Sequence, residues 1–208
     1  MRAAHGISAG GAGRVRVLLA SRNAKKLAEM RRIVAPRIPH LEVVGLDDVP
    51  AYGEVPETGA TFAENALLKA REGHRHTGLP TVADDSGLTV DALNGMPGVL
   101  SARWCGHHGD DGANLRLVLG QLQDTPDERL GAAFVCAVAL VGPDGEQVVH
   151  GTMPGHLIRR PRGTNGFGYD PIFVPEGFEL TSAELDAEAK DAISHRGQAL
   201  RALVPYLQ

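Results

Sequence analysis

Two apolar runs, Ala132–Val141 and Gln147–Met153, are joined at the turn-forming stretch Gly142-Pro-Asp-Gly145. A connection that short joins antiparallel neighbours, so the pair reads as a β-hairpin. Upstream the pattern is different. Val15–Ala20 is a short apolar run suited to a buried strand, and Leu27, Met30, Ile33 and Val34 then recur at helical spacing until Pro36. Leu41–Val44 is a second short strand candidate. A hairpin inside a chain that otherwise mixes strands with helices predicts an α/β protein whose sheet is mixed rather than purely parallel.

The remaining elements follow from punctuation. Asp47–Gly59 holds two prolines and two glycines and reads as a loop. Thr61-Phe-Ala-Glu64 has the form of a capping box, opening a helix that runs through Ala66, Leu67 and Ala70 to about Gly73. Thr81–Ala83 and Leu88–Leu93 are apolar stretches flanking a polar interruption, Asp84-Asp85-Ser86-Gly87, and Asn94–Gly98 is a turn-rich loop. Leu115, Val118, Leu119 and Leu122 mark an amphipathic helix. Beyond the glycine-rich run Gly163–Gly168, a short strand is expected at Pro171–Val174. Two helices should close the chain, the first capped by Thr181 with Glu184, the second burying Leu200, Leu203, Val204 and Leu207.

A chain of 208 residues, 43% hydrophobic and 22% charged, fits one domain with its own core, placed at residues 15–208. The Gly- and Ala-rich residues 1–14 read as a disordered leader without the apolar segment of a secretory signal. A net charge of −4 argues against a nucleic-acid partner. No run approaches the roughly 20 apolar residues that span a bilayer, so no membrane association is expected. Cys105 and Cys136 show no disulfide framework, which points to a reduced, cytoplasmic setting. Cys105, His107 and His108 lie close together, but no second ligand pair at zinc spacing accompanies them.

Five segments carry groups suited to chemistry. Ser21, Asn23 and Lys26 fall where a strand gives way to a helix, a turn whose free N–H groups and positive dipole end favour anions; the same residues also suit a plain N-cap with a basic first turn. Asp84 and Asp85 between apolar runs need a cation or hydrogen bonds to satisfy them, or else form a tight turn with Ser86 and Gly87. Magnesium, which takes one or two carboxylates plus substrate phosphates, would suit that pair. Glu57 could complete a metal site with Asp85, and Asn65 and Lys69, four apart, share one helix face. Gly163–Asp170 leads into a strand rather than opening a helix, so it is no dinucleotide fingerprint; it reads either as a flexible connector or as a segment whose glycines let backbone approach a ligand, with Phe167 free to stack on a base and Asp170 to meet a base edge or a structural partner. Lys190 and Arg196 can serve a phosphate or a purine carbonyl, and Ser194 is a natural helix cap.

Taken in order, these segments closely resemble the Ham1-like inosine triphosphate pyrophosphatase family over about residues 15 to 207. The most specific pieces are the run Glu57–Ala70, ADDSGL (Ala83–Leu88), GTNGFGYDPIF (Gly163–Phe173) and ISHRG (Ile193–Gly197). The resemblance implies a two-lobed α/β fold around an elongated mixed sheet, a nucleotide cleft between the lobes, and a homodimer. It implies hydrolysis of ITP, dITP and XTP to the monophosphate and pyrophosphate with Mg2+ as cofactor. By position, Asp85 looks like the catalytic carboxylate and a metal ligand, with Asp84 and Lys69 assisting and Glu57 as second metal ligand. Ser21, Asn23, Lys26 and Ser86 look like substrate contacts. Phe167, Gly168, Tyr169, Asp170, Lys190, His195 and Arg196 look like the purine-recognising set. Bacterial members often have glycine where Arg22 and Lys25 stand here. A Maf-like pyrophosphatase acting on modified pyrimidines, or a nucleotide-binding module without turnover, are the alternatives.

Overall fold

The computed structural model describes residues 15–208; the expected leader at 1–14 lies outside them. Six strands form one sheet in the order β2-β1-β3-β4-β5-β6. The chain runs β1 (Val15–Leu19), α1 (Ala24–Val34), β2 (Leu41–Val44), α2 (Phe62–Thr77), β3 (Thr81–Val90), α3 (Asp111–Gln121), β4 (Gly131–Gly142), β5 (Gly145–Leu157), β6 (Phe173–Pro175), α4 (Ala187–Ile193) and α5 (His195–Leu203). β1 lies parallel to β2 and β3, whereas β3 through β6 pair antiparallel. The predicted hairpin is β4–β5, closed by the pair Gly142↔Gly145.

Long strands β3 and β4 connect two hydrophobic cores. The first gathers Val17, Leu19, Met30 and Ile33 with Val82, Val138, Leu200 and Leu203. The second gathers Leu88, Phe134, Ile172 and Phe173 with Leu115 and Val118 of α3. On the opposite face of β3 and β4, Ala66 and Ala70 of α2 pack on Ala83, Ala137 and Ala139. Adjacent strand residues thus serve different layers, Val82 the α1 side and Ala83 the α2 side, as the two-residue period of a strand requires.

Three expectations need correction. Asp84–Gly87 does not interrupt two strands; β3 is continuous, and every residue from Thr81 to Val90 has a partner on β4. The strand survives its polar middle because alternation sends each carboxylate to a different face, where each finds cations. It ends at Val90, and Asp91–Leu93 form a 3₁₀ turn rather than more strand. The Thr181–Glu184 box forms only by half. Glu184 Oε2 accepts from the Thr181 N–H at 2.8 Å, but the Thr181 hydroxyl donates to the Arg162 carbonyl, and no helix starts there. α4 begins instead after Asp186, whose carboxylate accepts from the Ala189 N–H. By contrast, both halves of the Thr61–Glu64 box are made. α2 passes Gly73 and stops at Gly78, which adopts a left-handed φ of 69°.

Tight packing of β5 on α5 positions the residues that follow Ser194. A Cβ on Gly151 would collide with the His195 carbonyl oxygen and stand 2.8 Å from the Ala199 nitrogen. Gly151→Ala should therefore destabilise the protein by about 1–3 kcal/mol, the range for overpacking. Urea denaturation would check this, and an unchanged midpoint would mean that α5 is not fixed by this contact.

Candidate active site

β1 makes its last ladder pair at Leu19↔Val82, and the Ala20 N–H donates to the Val82 carbonyl at 2.8 Å. The chain then turns away into α1 while β3 continues, so Asp84 and Asp85 stand beyond the end of their neighbour. α1 and α2 pack on opposite faces of the sheet. The opening at the carboxyl end of β1 is therefore a switch point, the place where open α/β sheets bind ligands. A cleft of 840 Å³ lies there, with Lys26, Tyr52, Glu57, Lys69, Asp84 and Arg103 among its walls.

On the α1 face, Asp84 Oδ2 accepts from Lys26 Nζ at 2.9 Å and from Arg196 Nε at 3.1 Å. Arg196, itself buried, also donates to Glu29 Oε2 at 2.7 Å and to Ser86 Oγ at 2.9 Å. Burial works against ionisation of Asp84, but Lys26, Arg196 and Lys69 outweigh it and hold the carboxyl well below its ordinary value. The other oxygen, Oδ1, is buried with no hydrogen-bond partner among the described residues.

On the α2 face, Asp85 Oδ2 accepts from Asn65 Nδ2 at 3.0 Å and Oδ1 from Lys69 Nζ at 3.3 Å. Lys69 also donates to Glu57 Oε1 at 3.0 Å, and Arg103 Nη1 reaches Glu57 Oε2 at 2.8 Å. Asn65 is fully buried and orients itself through Oδ1, which accepts from the Gly59 N–H at 2.8 Å. The helix-face pairing of Asn65 with Lys69 is thus realised on one carboxylate. Burial pushes the Asp85 carboxyl up, against the pull of Lys69, and neighbouring Glu57 adds to the rise. Burial also disfavours the Lys69 ammonium, but Asp85, Asp84 and Glu57 together raise its pKa. Glu57 is pushed up by burial and brought below its ordinary value by Lys69 and Arg103.

The other expected residues divide. Asn23 is the N-cap of α1, its Oδ1 accepting from the N–H groups of Lys25 and Lys26, while Ser21 Oγ accepts from the Asn23 N–H and lines the cleft. Phe167 has Lys190 and Arg196 beside its ring, and its N–H donates to Asp170, which pairs with the Lys190 ammonium. The Gly168 N–H is taken by Asp111. Tyr169 points into the second core, its hydroxyl donating to the Ser101 carbonyl at 2.8 Å, so its side chain is a structural anchor rather than an exposed contact. His195 is buried against Phe134, with ring centroids 5.0 Å apart and planes 12° from parallel. Burial holds its imidazole neutral, with Arg196 and Lys190 adding to the effect, and Nδ1 has no partner among the described residues. Glu29 and Arg103 were not anticipated. Glu29 sits one turn after Lys26, a detectable spacing, whereas Arg103 is brought to Glu57 by tertiary folding alone.

The depressed Asp84 carboxyl gives a signed prediction. Stability from such a group is present above its unfolded-state pKa, ordinarily 3.8, and is lost as pH falls through the lower folded value. Asp84→Asn leaves Lys26 and Arg196 under-compensated and should cost about 3–5 kcal/mol near neutrality. Denaturation at about pH 7 and about pH 3 should show the gap to the parent protein narrowing in acid. A pH-independent gap would mean that charge is not what Asp84 contributes.

Comparison with known proteins identifies the family. The Ham1 family model matches residues 17–206. A dITP/XTP pyrophosphatase of Nocardia farcinica is 66% identical over 194 residues, covering 92% of this chain and 94% of that protein. The crystal structure of a nucleoside-triphosphatase / dITP/XTP pyrophosphatase from Mycobacterium abscessus is 64% identical with a TM-score of 0.75, covering 91% of this chain and 99% of the other. The Staphylococcus aureus Ham1 protein, at 39% identity, superposes with a TM-score of 0.83 over 92% of this chain and 97% of its own. The curled six-stranded sheet, its polar switch point and a match across nearly all of the chain together make this protein a member of the Ham1 family.

Proposed function

We propose that the protein hydrolyses ITP, dITP and XTP to the nucleoside monophosphate and pyrophosphate, clearing non-standard purines before they enter DNA or RNA. The observation that carries the reading is Asp85: a carboxylate fixed by Asn65 and Lys69 at the sheet's switch point. Relatives named as dITP/XTP pyrophosphatases support the substrate class.

In this reading Asp85 orients a water toward the α-phosphorus and takes its proton, as a positioned carboxylate can. The new P–O bond forms as the bond from the α-phosphorus to the bridging oxygen breaks, and pyrophosphate departs. Lys26 and Lys69 offset the charge that accumulates on the leaving group. Phe167 offers a face to the base. Lys190 and Arg196 present donors suited to a 6-keto oxygen, which the 6-amino group of adenine, itself a donor, cannot answer.

The residues fit magnesium. Lys69 already places one positive charge between Glu57 Oε1 and Asp85 Oδ1. Glu57 and Asp85 would hold the ion, with phosphate oxygens completing its shell. When bound, magnesium supplies charge neutralisation on the phosphates. No helix among the described residues is long and apolar enough to cross a membrane. A cytoplasmic homodimer belongs to the same proposal and rests on the family likeness.

Product analysis with ITP, dITP, XTP, GTP, ATP and dUTP should yield pyrophosphate and monophosphate from the first three and little from the rest. Orthophosphate with diphosphate would place the cut at another bond, and a preference for dUTP would point to pyrimidine chemistry. Asp85→Asn should lower kcat by at least ~100-fold while circular dichroism stays unchanged. Near-normal turnover would remove Asp85 from its role.

A further inference from the structure

Three cations surround the Phe167 ring: Lys25 Nζ and Lys190 Nζ at 5.5 Å from its centroid, and the Arg196 guanidinium carbon at 5.7 Å. Two of them bring their own counter-charge. Lys190 pairs with Asp170, and Arg196 with Asp84 and Glu29. Lys25 differs. Its ammonium donates to the neutral carbonyl of Gly166 at 2.8 Å, and among the described residues no carboxylate lies within ion-pair distance. One positive charge therefore stands uncompensated beside the aromatic ring.

The local fold places that charge. Asn23 caps α1, so Lys25 falls in the first helical turn, where the dipole disfavours a cation unless something anionic answers it. Gly166 has a φ of 75°, and a Cβ there would run into the Asp170 carboxylate, so a larger residue could not hold this turn. The hydrogen bond joins the turn after β1 to the glycine-rich loop 141 residues later, so Lys25 ties the phosphate-side and base-side segments together.

We propose that Lys25 sets a preference within the substrate class, favouring the purine whose base is itself an anion. This rests on the reading above, in which Phe167 carries the base. Xanthine in a nucleoside gives up a ring proton near neutral pH, whereas hypoxanthine stays uncharged. Stacked rings have centroids about 4.5–7 Å apart, so a base on the side of Phe167 that Lys25 flanks, 5.5 Å from the centroid, comes within reach of its ammonium. An anionic base answers the uncompensated charge; a neutral one does not. Lys25 is thus a specificity-determining residue that discriminates XTP from ITP by charge.

The test compares kcat/KM for XTP and ITP in the full-length parent, Lys25→Met, Lys25→Arg and Lys25→Glu. The XTP-to-ITP ratio should fall about fivefold in Lys25→Met, the scale of one exposed cation–aromatic or ionic contact. It should return to the parent value in Lys25→Arg and fall further in Lys25→Glu. Equal losses on both substrates would show that Lys25 only braces the loop, and would overturn the inference while leaving the pyrophosphatase reading intact. Failure of the parent to release pyrophosphate from either nucleotide would instead defeat the reading on which the inference rests.

Discussion

Asp84 and Asp85 are consecutive residues inside a ten-residue strand, and an extended backbone sends them to opposite faces of the sheet. Two carboxylates so close to two hydrophobic cores are tolerable only if both faces supply cations. The rest of the molecule answers that demand. α1 brings Lys26 and α5 brings Arg196 to one side; α2 brings Lys69 to the other. Two of these cations also meet a second acid, Glu29 for Arg196 and Glu57 for Lys69. The two networks are alternating chains of charge, each close to neutral, meeting at the backbone of β3.

Their different settings explain why one carboxyl is held down and its neighbour is raised. Asp84 has two cations on one oxygen, and these outweigh its burial. Asp85 has one ammonium shared with Glu57 and an uncharged amide, and burial prevails. The first suits a structural anion and the second a proton acceptor, a division that neighbouring groups impose on chemically identical side chains.

Local chemistry made the hairpin and the Thr61 capping box readable from sequence, because both are decided by residues within a few positions of each other. The same local rule misled at Thr181, where a hydroxyl free to cap was captured by the Arg162 carbonyl, 19 residues away. The acidic pair looked like a break because polarity along the chain says nothing of partners such as Arg196, 112 residues distant. The segments of Ser21 and Lys26, of Glu57 and Lys69, and of Asp84 line the cleft and were legible through their motifs. The pairings were not, since Arg103 on Glu57, Tyr169 on Ser101 and His195 on Phe134 are products of tertiary packing.

The alanine layer between α2 and the sheet has a further consequence. Ala66 and Ala70 meet Ala83, Ala137 and Ala139, so the helix rides close to the strands with little side chain between them. Asn65 and Lys69 are the immediate chain neighbours of those helix alanines, and Asp85 lies two residues from Ala83 on the same face. The thickness of one methyl layer is therefore the gauge that fixes how far an ammonium stands from a carboxylate. A bulkier residue anywhere along this seam would lift the whole helix, and chemistry would suffer from a change that touches no polar atom. Spacing thus governs this site as much as charge does, and some of the smallest side chains in the protein set the distance.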